Sequence, residues 1–258
     1  MKNYLKNLLK EILEKEDKEK AKILARFFKT GKGEYGEEDK FLGITVPVSR
    51  NIAKKYADID FKDLEKLLEN KYHEVRLVAL LILVHKYKFS ASTASEKNSS
   101  ARSVLAERKK IVDFYLKHTK YINNWDLVDL SCHYILGDYL YNDKISHKSD
   151  LWQGEKILEK LARSKNLWER RIAIVSTFAF IYKGESKWTF KITEMLMKDK
   201  HNLIHKACGW MLREVGKRVG EKELLEFLNK HHKEMPRIMI RYAIERLPER
   251  KRKEYLKK

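Results

Sequence analysis

Arg171, Lys206 and Arg241 stand 35 residues apart, and each opens an apolar stretch with helical spacing. Their segments read Asn166-Leu167-Trp168-Glu169-Arg170-Arg171-Ile172-Ala173, Asn202-Leu203-Ile204-His205-Lys206-Ala207-Cys208 and Arg237-Ile238-Met239-Ile240-Arg241-Tyr242-Ala243. An earlier segment, Glu74-Val75-Arg76-Leu77-Val78-Ala79, follows the same pattern. A recurring helix pair cannot bury its apolar face alone, so neighbours must stack on one another. Apolar residues at three- and four-residue spacing run almost throughout, and no useful β-alternation interrupts them. With only three prolines and ten glycines, the chain is expected to fold as an all-α array of stacked helix pairs.

A period of about 35 to 45 residues predicts a HEAT-like helical repeat solenoid, curved, with a basic concave face. One domain is expected across residues 1–258, broken by a Ser- and Ala-rich loop insertion over about 89–103. One continuous helix is expected over Trp125–Tyr141 and another over Leu167–Tyr182. Asn124, Asn166 and Asn202 each read as an N-cap that accepts a hydrogen bond from an orphan amide of the first turn. Cations in the first turns oppose the helix dipole at about a few tenths of a kcal/mol each, so their recurrence at Arg170, Arg171 and Lys206 suggests use. Helix N-termini with cations make an anion-binding strip suited to a phosphate backbone. The alternative is that these bases pair with Glu169 or Glu214 on the surface.

Charge agrees with such a partner. The chain carries 56 Lys and Arg against 37 Asp and Glu, a formal +19. That points to a nucleic acid or an anionic membrane surface, a lysine-rich surface of thermophile type being the other reading. Apolar residues at 43% exclude a disordered basic chain. The run Leu77 to Val84 is too short to span a bilayer, and Met1-Lys2-Asn3-Tyr4-Leu5-Lys6 lacks the apolar core of a signal peptide. A soluble, cytoplasmic monomer is expected. Cys132 and Cys208 sit in apolar context as small buried hydrophobes. His201 and His205 lack an acidic third ligand, and neither a metal nor a cofactor is expected.

One segment departs from the row of bases. Asn124-Trp125-Asp126-Leu127-Val128-Asp129-Leu130 places Asp129 where the other repeats place a cation. Trp125 lies four residues earlier on the same helix face, so indole and carboxylate project together. A carboxylate is rarely buried without a partner, which makes this pair hard to read as core. Trp210 follows Lys206 by one turn, and Trp168 reads as packing.

Asn124-Trp125-Asp126-Leu127-Val128-Asp129, Leu136-Gly137-Asp138, Leu167-Trp168-Glu169-Arg170-Arg171 and Lys206-Ala207-Cys208-Gly209-Trp210-Met211-Leu212-Arg213-Glu214 resemble the AlkD-type DNA alkylation repair glycosylases. Phe41-Leu42-Gly43-Ile44-Thr45-Val46-Pro47 is similar to the family's FLGI-x-x-P loop, and the likeness runs from about Ala21 to Arg246. The resemblance implies a HEAT-like glycosylase that excises 3- and 7-alkylated purines from duplex DNA without a metal. It implies that Asp129 is the catalytic aspartate and that Trp125 and Trp210 flank the sugar and backbone of the lesion. Arg171 is implied to hold the neighbouring phosphate, and Arg213 to face DNA. From the repeat row, Arg76, Arg170, Lys206 and Arg241 join Arg213 as candidate DNA-contacting cations. Phe27, where a tyrosine is often found, and Thr45, where relatives carry a longer polar residue, depart from the pattern. A non-catalytic helical-repeat protein that binds nucleic acid is the alternative, since a repeat fold can lose its chemistry and keep its strip.

Overall fold

The computed structural model describes residues 4–37, 39–96, 101–146 and 154–257. Helix starts are set by short polar side chains that accept orphan amides. Asp17 accepts from Lys20 N at 3.0 Å, Asp60 from Asp63 N at 2.8 Å, Asn124 from Trp125 N at 2.8 Å and Asn166 from Trp168 N at 2.8 Å. Those caps open α2 (Lys18–Phe27), α4 (Phe61–Leu68), α7 (Trp125–Asp129) and α10 (Leu167–Ser176), numbered in chain order with α1 (Tyr4–Leu13), α3 (Val46–Lys55), α5 (His73–Glu96), α6 (Ala101–Lys117), α8 (Asp138–Ser146) and α9 (Gly154–Ala162). Beyond them come α11 (Phe178–Tyr182), α12 (Lys187–Leu196), α13 (Asn202–Arg218), α14 (Glu221–His231), α15 (Arg237–Ala243) and α16 (Glu249–Leu256). The described residues contain no strand, only an isolated bridge between Lys40 and Tyr72. The fold is all-helical.

The chain divides into two units, Met1–Ser131 and Cys132–Lys258. In the first, α5 is the central element: α3, α4, α6 and α7 all pack against it. Its apolar residues do not keep to one stripe, and Val75, Leu77, Val78, Ala79, Leu80, Ile82 and Leu83 are all buried, as a helix enclosed on several sides requires. In the second, α13 has that place, with α10, α11, α12, α14 and α15 against it. Gly209 lets α15 come close, because a Cβ there would sit 2.5 Å from the Met239 carbonyl and 2.6 Å from Tyr242 Cβ.

Four expectations are corrected. Helix α5 continues through Glu96 and α6 begins at Ala101, so the stretch read as a loop over 89–103 is helical on both sides of 97–100, which lie outside the described residues. Its composition was low in complexity but held no Gly or Pro, and alanine favours helix. The third cap is His201 rather than Asn202: its Nδ1 accepts from Leu203 N at 3.1 Å, while Asp199 accepts the His201 amide at 2.8 Å. Burial holds the imidazole below its ordinary pKa, which suits a neutral acceptor. The helix expected over Trp125–Tyr141 stops after one turn at Asp129 and resumes as a π-helical turn at His133–Gly137 ahead of α8. At the stop, Ser131 Oγ bonds back to the Leu127 carbonyl at 2.5 Å, a local competitor to the helix ladder. The helix expected over Leu167–Tyr182 likewise breaks at Thr177, whose hydroxyl donates to the Ile174 carbonyl at 2.7 Å.

Candidate active site

A cavity of about 480 Å³ opens in the first unit. Its walls come from α2 (Lys20, Ile23, Leu24, Phe27), from Phe28 and the Phe41–Val46 loop, from the start of α5 and from α7 with Leu130. Trp125 and Asp129, the first and last residues of α7, both line it and both are half-buried. The four-residue spacing read in the sequence does place indole and carboxylate at one cavity. Phe27, 61% exposed, and Thr45, also exposed, lie on the same lining, so the two departures from the family pattern meet here.

The indole is set by a column of rings. Trp125 stacks on Phe28 at 5.1 Å between centroids and 15° between planes. Phe28 stacks on Phe41 at 4.9 Å and 22°, and Phe41 on the His73 imidazole at 4.5 Å and 25°. Phe27 meets Trp125 edge-on at 5.9 Å. Offset stacks of this kind add about 0.5–1.5 kcal/mol per pair beyond area burial, and here Phe28 covers one face of the indole.

Behind the column lies a buried charge network that pattern reading of the chain did not find. His73 donates from Nδ1 to Asp39 at 3.1 Å and from Nε2 to Asp126 at 2.8 Å. Both ring nitrogens can donate only in the protonated imidazole. Burial pulls the His73 pKa down, but the charge and hydrogen bond of Asp126, followed by those of Asp39, outweigh it and raise the value to about 9. Burial works against ionised Asp39 too, and His73 and Arg76 overcome it, holding the carboxyl below its ordinary range. Asp39 also accepts from Arg76 Nη2, from Asn124 Nδ2 at 2.7 Å and from Asn123 Nδ2 at 3.3 Å. Next to His73, the Glu74 carboxylate accepts the amides of Leu42 (2.9 Å), Gly43 (2.8 Å) and Ile44 (3.1 Å). Gly43 has φ +84°, and a Cβ there would meet the Asp17 carbonyl at 2.1 Å, so only glycine carries the loop past the start of α2.

Sequence comparison decides the lineage. The family model described as DNA alkylation repair enzyme matches residues 8–247. The chain belongs to the DNA alkylation repair enzyme family. Among solved structures it is similar to one described as "Predicted DNA alkylation repair enzyme from Enterococcus faecalis", with a TM-score of 0.60 and 16% identity over 91% of this chain and 97% of that one. That likeness speaks to the fold. No curated protein matches.

The remaining candidates of this family member are placed as follows. Arg76 is 5% exposed, paired with Asp39, and donates to the Asn70 carbonyl at 2.8 Å. Its charge is answered inside the fold by the buried Asp39 carboxylate. In the second unit, Arg170 holds Asp199 at 2.6 Å and the carbonyls of Ser164 and Lys165 at 3.0 Å, which ties the α10 start to the turn before α13. Arg171 is 6% exposed and donates to the Leu203 carbonyl at 2.7 Å. Lys206 and Trp210 are half-buried, and the Trp210 ring lies 6.1 Å from Phe178. Arg213 is paired with Glu245 and lies 3.6 Å from Glu214. Arg241 is exposed and lines a second cavity of about 380 Å³ with Arg237 and Arg252. The 35-residue row thus holds one buried, one half-buried and one exposed cation. Among the described residues no group of three or more His, Cys, Asp or Glu is placed to hold a metal ion, and no helix is long and apolar enough to cross a membrane.

Proposed function

We propose that this member of the DNA alkylation repair family is a DNA glycosylase that releases cationic alkylated purines, of the 3-methyladenine and 7-methylguanine type, from duplex DNA. The observation that carries the reading is the placement of Asp129 and Trp125 on one cavity by a single-turn helix anchored from beneath. An N3- or N7-alkylpurine already bears a positive charge, so it departs with the electron pair of the glycosidic bond and needs no general acid. The deoxyribose left behind becomes oxocarbenium-like. Asp129 opposes that charge near C1′ and accepts the proton of the water that attacks there. Trp125 lays a π-face against the cationic sugar, a contact worth about 0.5–2 kcal/mol.

On the second unit, Trp210, Arg171, Lys206, Arg213 and Arg241 are proposed to contact the sugar-phosphate backbone of the DNA. Arg76 and Arg170 are not included, because their guanidinium groups are committed to the buried carboxylates of Asp39 and Asp199, whereas the Glu245 partner of Arg213 is exposed. The proposed protein acts as a monomer and uses no metal.

Asp129→Asn tests the reading. The amide keeps the shape and removes the charge, so release of 7-methylguanine or 3-methyladenine should fall about a hundredfold or more while affinity for DNA holds or rises slightly. Trp125→Ala and Trp210→Ala should lower the rate less. Wild-type rates in Asp129→Asn would return the chain to a non-catalytic nucleic-acid-binding role, and equal release of uracil or hypoxanthine would contradict the missing general acid.

A further inference from the structure

Helix α7 has five residues, and a single turn has almost no stability of its own in water. Something else must hold Trp125 and Asp129 to the accuracy that chemistry at C1′ needs. Three attachments do so, and all converge on one buried cation and its acids. Asp126, in the middle of α7, accepts from His73 Nε2 at 2.8 Å. Asn124, the N-cap, accepts the Trp125 amide through Oδ1 and donates through Nδ2 to Asp39, which His73 Nδ1 also reaches. Asn123 adds a third link to Asp39. His73 opens α5, the helix against which α3, α4, α6 and α7 pack, so the bridge ties α7 to the central element of its unit.

We propose that His73 is the positioning residue of this site, an imidazolium bridge between Asp39 and Asp126 that fixes α7 and so sets Asp129 and Trp125 in register with the substrate. This rests on the glycosylase reading for its consequence in rate, but its geometry stands without it. The groups facing the imidazole are Asp39 from the loop, with Arg76 of α5 behind it, and Asp126 from α7. Glu74, Lys20 and Asp129 line the same cavity. A neutral imidazole would turn one lone pair toward a carboxylate, and that contact would change from attraction to repulsion. Because the imidazolium persists to about pH 9, the bridge is intact at neutral pH and opens on the alkaline side.

The test has an arm that needs activity and an arm that does not. In single-turnover release of methylated purines at saturating protein, His73→Gln should slow the step by about 10- to 100-fold, the range that a misplacement near 1 Å produces, with affinity for DNA changed by less than about twofold. Wild-type rate should decline as pH rises through about 9, and that decline should be absent from His73→Gln. Asp126→Asn, which keeps His73 and removes one acid, should show the same drop if His73→Gln fails to fold.

Without DNA, nitrogen-15 NMR of the full chain should find both His73 ring nitrogens protonated at pH 7.5. Amide exchange should speed up in residues 125–130 of His73→Gln while Val78–Leu83 stays protected. A neutral His73 ring at pH 7.5, unchanged exchange in α7, or a loss of protection spread evenly through α5 would overturn the proposal. A wild-type protein that releases no base would sink the glycosylase reading alone, and the NMR and exchange results would still decide the role of His73.

Discussion

Asp39 is a loop residue that accepts hydrogen bonds from His73, Arg76, Asn123 and Asn124. A buried carboxylate persists only when donors replace its lost water, and four donors meet that demand. Removing the charge leaves Arg76 enclosed and unpaired, so Asp39→Asn is expected to cost about 3–5 kcal/mol in urea unfolding. The same network sets the pH range of the fold. His73 has a pKa raised from 6.5 to about 9. Its contribution is therefore fully present below pH 6.5 and is lost as pH rises through about 9, on the order of 3 kcal/mol in all. Asp39 has a lowered pKa, so its contribution is present above the ordinary carboxylate value and is lost as pH falls through the folded one. Thermal midpoints measured from pH 3 to pH 10 should fall at both ends, and His73→Gln should flatten the alkaline side.

At the scale of elements, the loop Phe41–Val46 and the short α7 each form part of the cavity wall, and neither stands by itself. The loop is held by three amides on Glu74, by the Asp17 amide on the Leu42 carbonyl at 2.8 Å, and by the left-handed Gly43. Gly43→Ala places a Cβ against the backbone of α2 in a conformation that L-residues avoid at about 1–2 kcal/mol. The expected loss is at least about 2 kcal/mol by denaturant unfolding, together with a rearranged cavity mouth. Gly209→Ala should cost about 1–3 kcal/mol by forcing α13 from α15, without touching the first unit. Similar losses in both variants but normal base release in Gly43→Ala would show that the loop does not shape the site.

For the whole molecule, the surplus of +19 sets binding strength more than sequence preference. Affinity for duplex DNA is expected to depend weakly on sequence and to fall steeply with salt, each lost phosphate contact lowering the log–log slope by about 0.9. Lys206→Ala and Arg213→Ala should each reduce the slope by about that amount in anisotropy titrations. Arg170→Ala, whose guanidinium is held by Asp199, should instead loosen the fold and leave the slope in place. An unchanged slope in Lys206→Ala and Arg213→Ala would move the DNA contacts elsewhere on the surface.

What the sequence by itself determined was local. Apolar spacing decided that the chain is helical, Asn124 and Asn166 marked two helix starts, and the four-residue spacing from Trp125 to Asp129 brought indole and carboxylate to one cavity. Each of these depends on atoms within a turn or two, where backbone geometry allows few arrangements. Tertiary structure decided the fate of the charges. Arg76, Arg171 and Arg241 occupy matching places in the pattern, yet one is buried on Asp39, one is buried and donates to the Leu203 carbonyl, and one is exposed. His73 met acids 34 residues before and 53 residues after it, and no local spacing encodes such a meeting. A charge takes its role from the partner that packing supplies, because the cost of leaving it buried and alone exceeds any preference written along the helix.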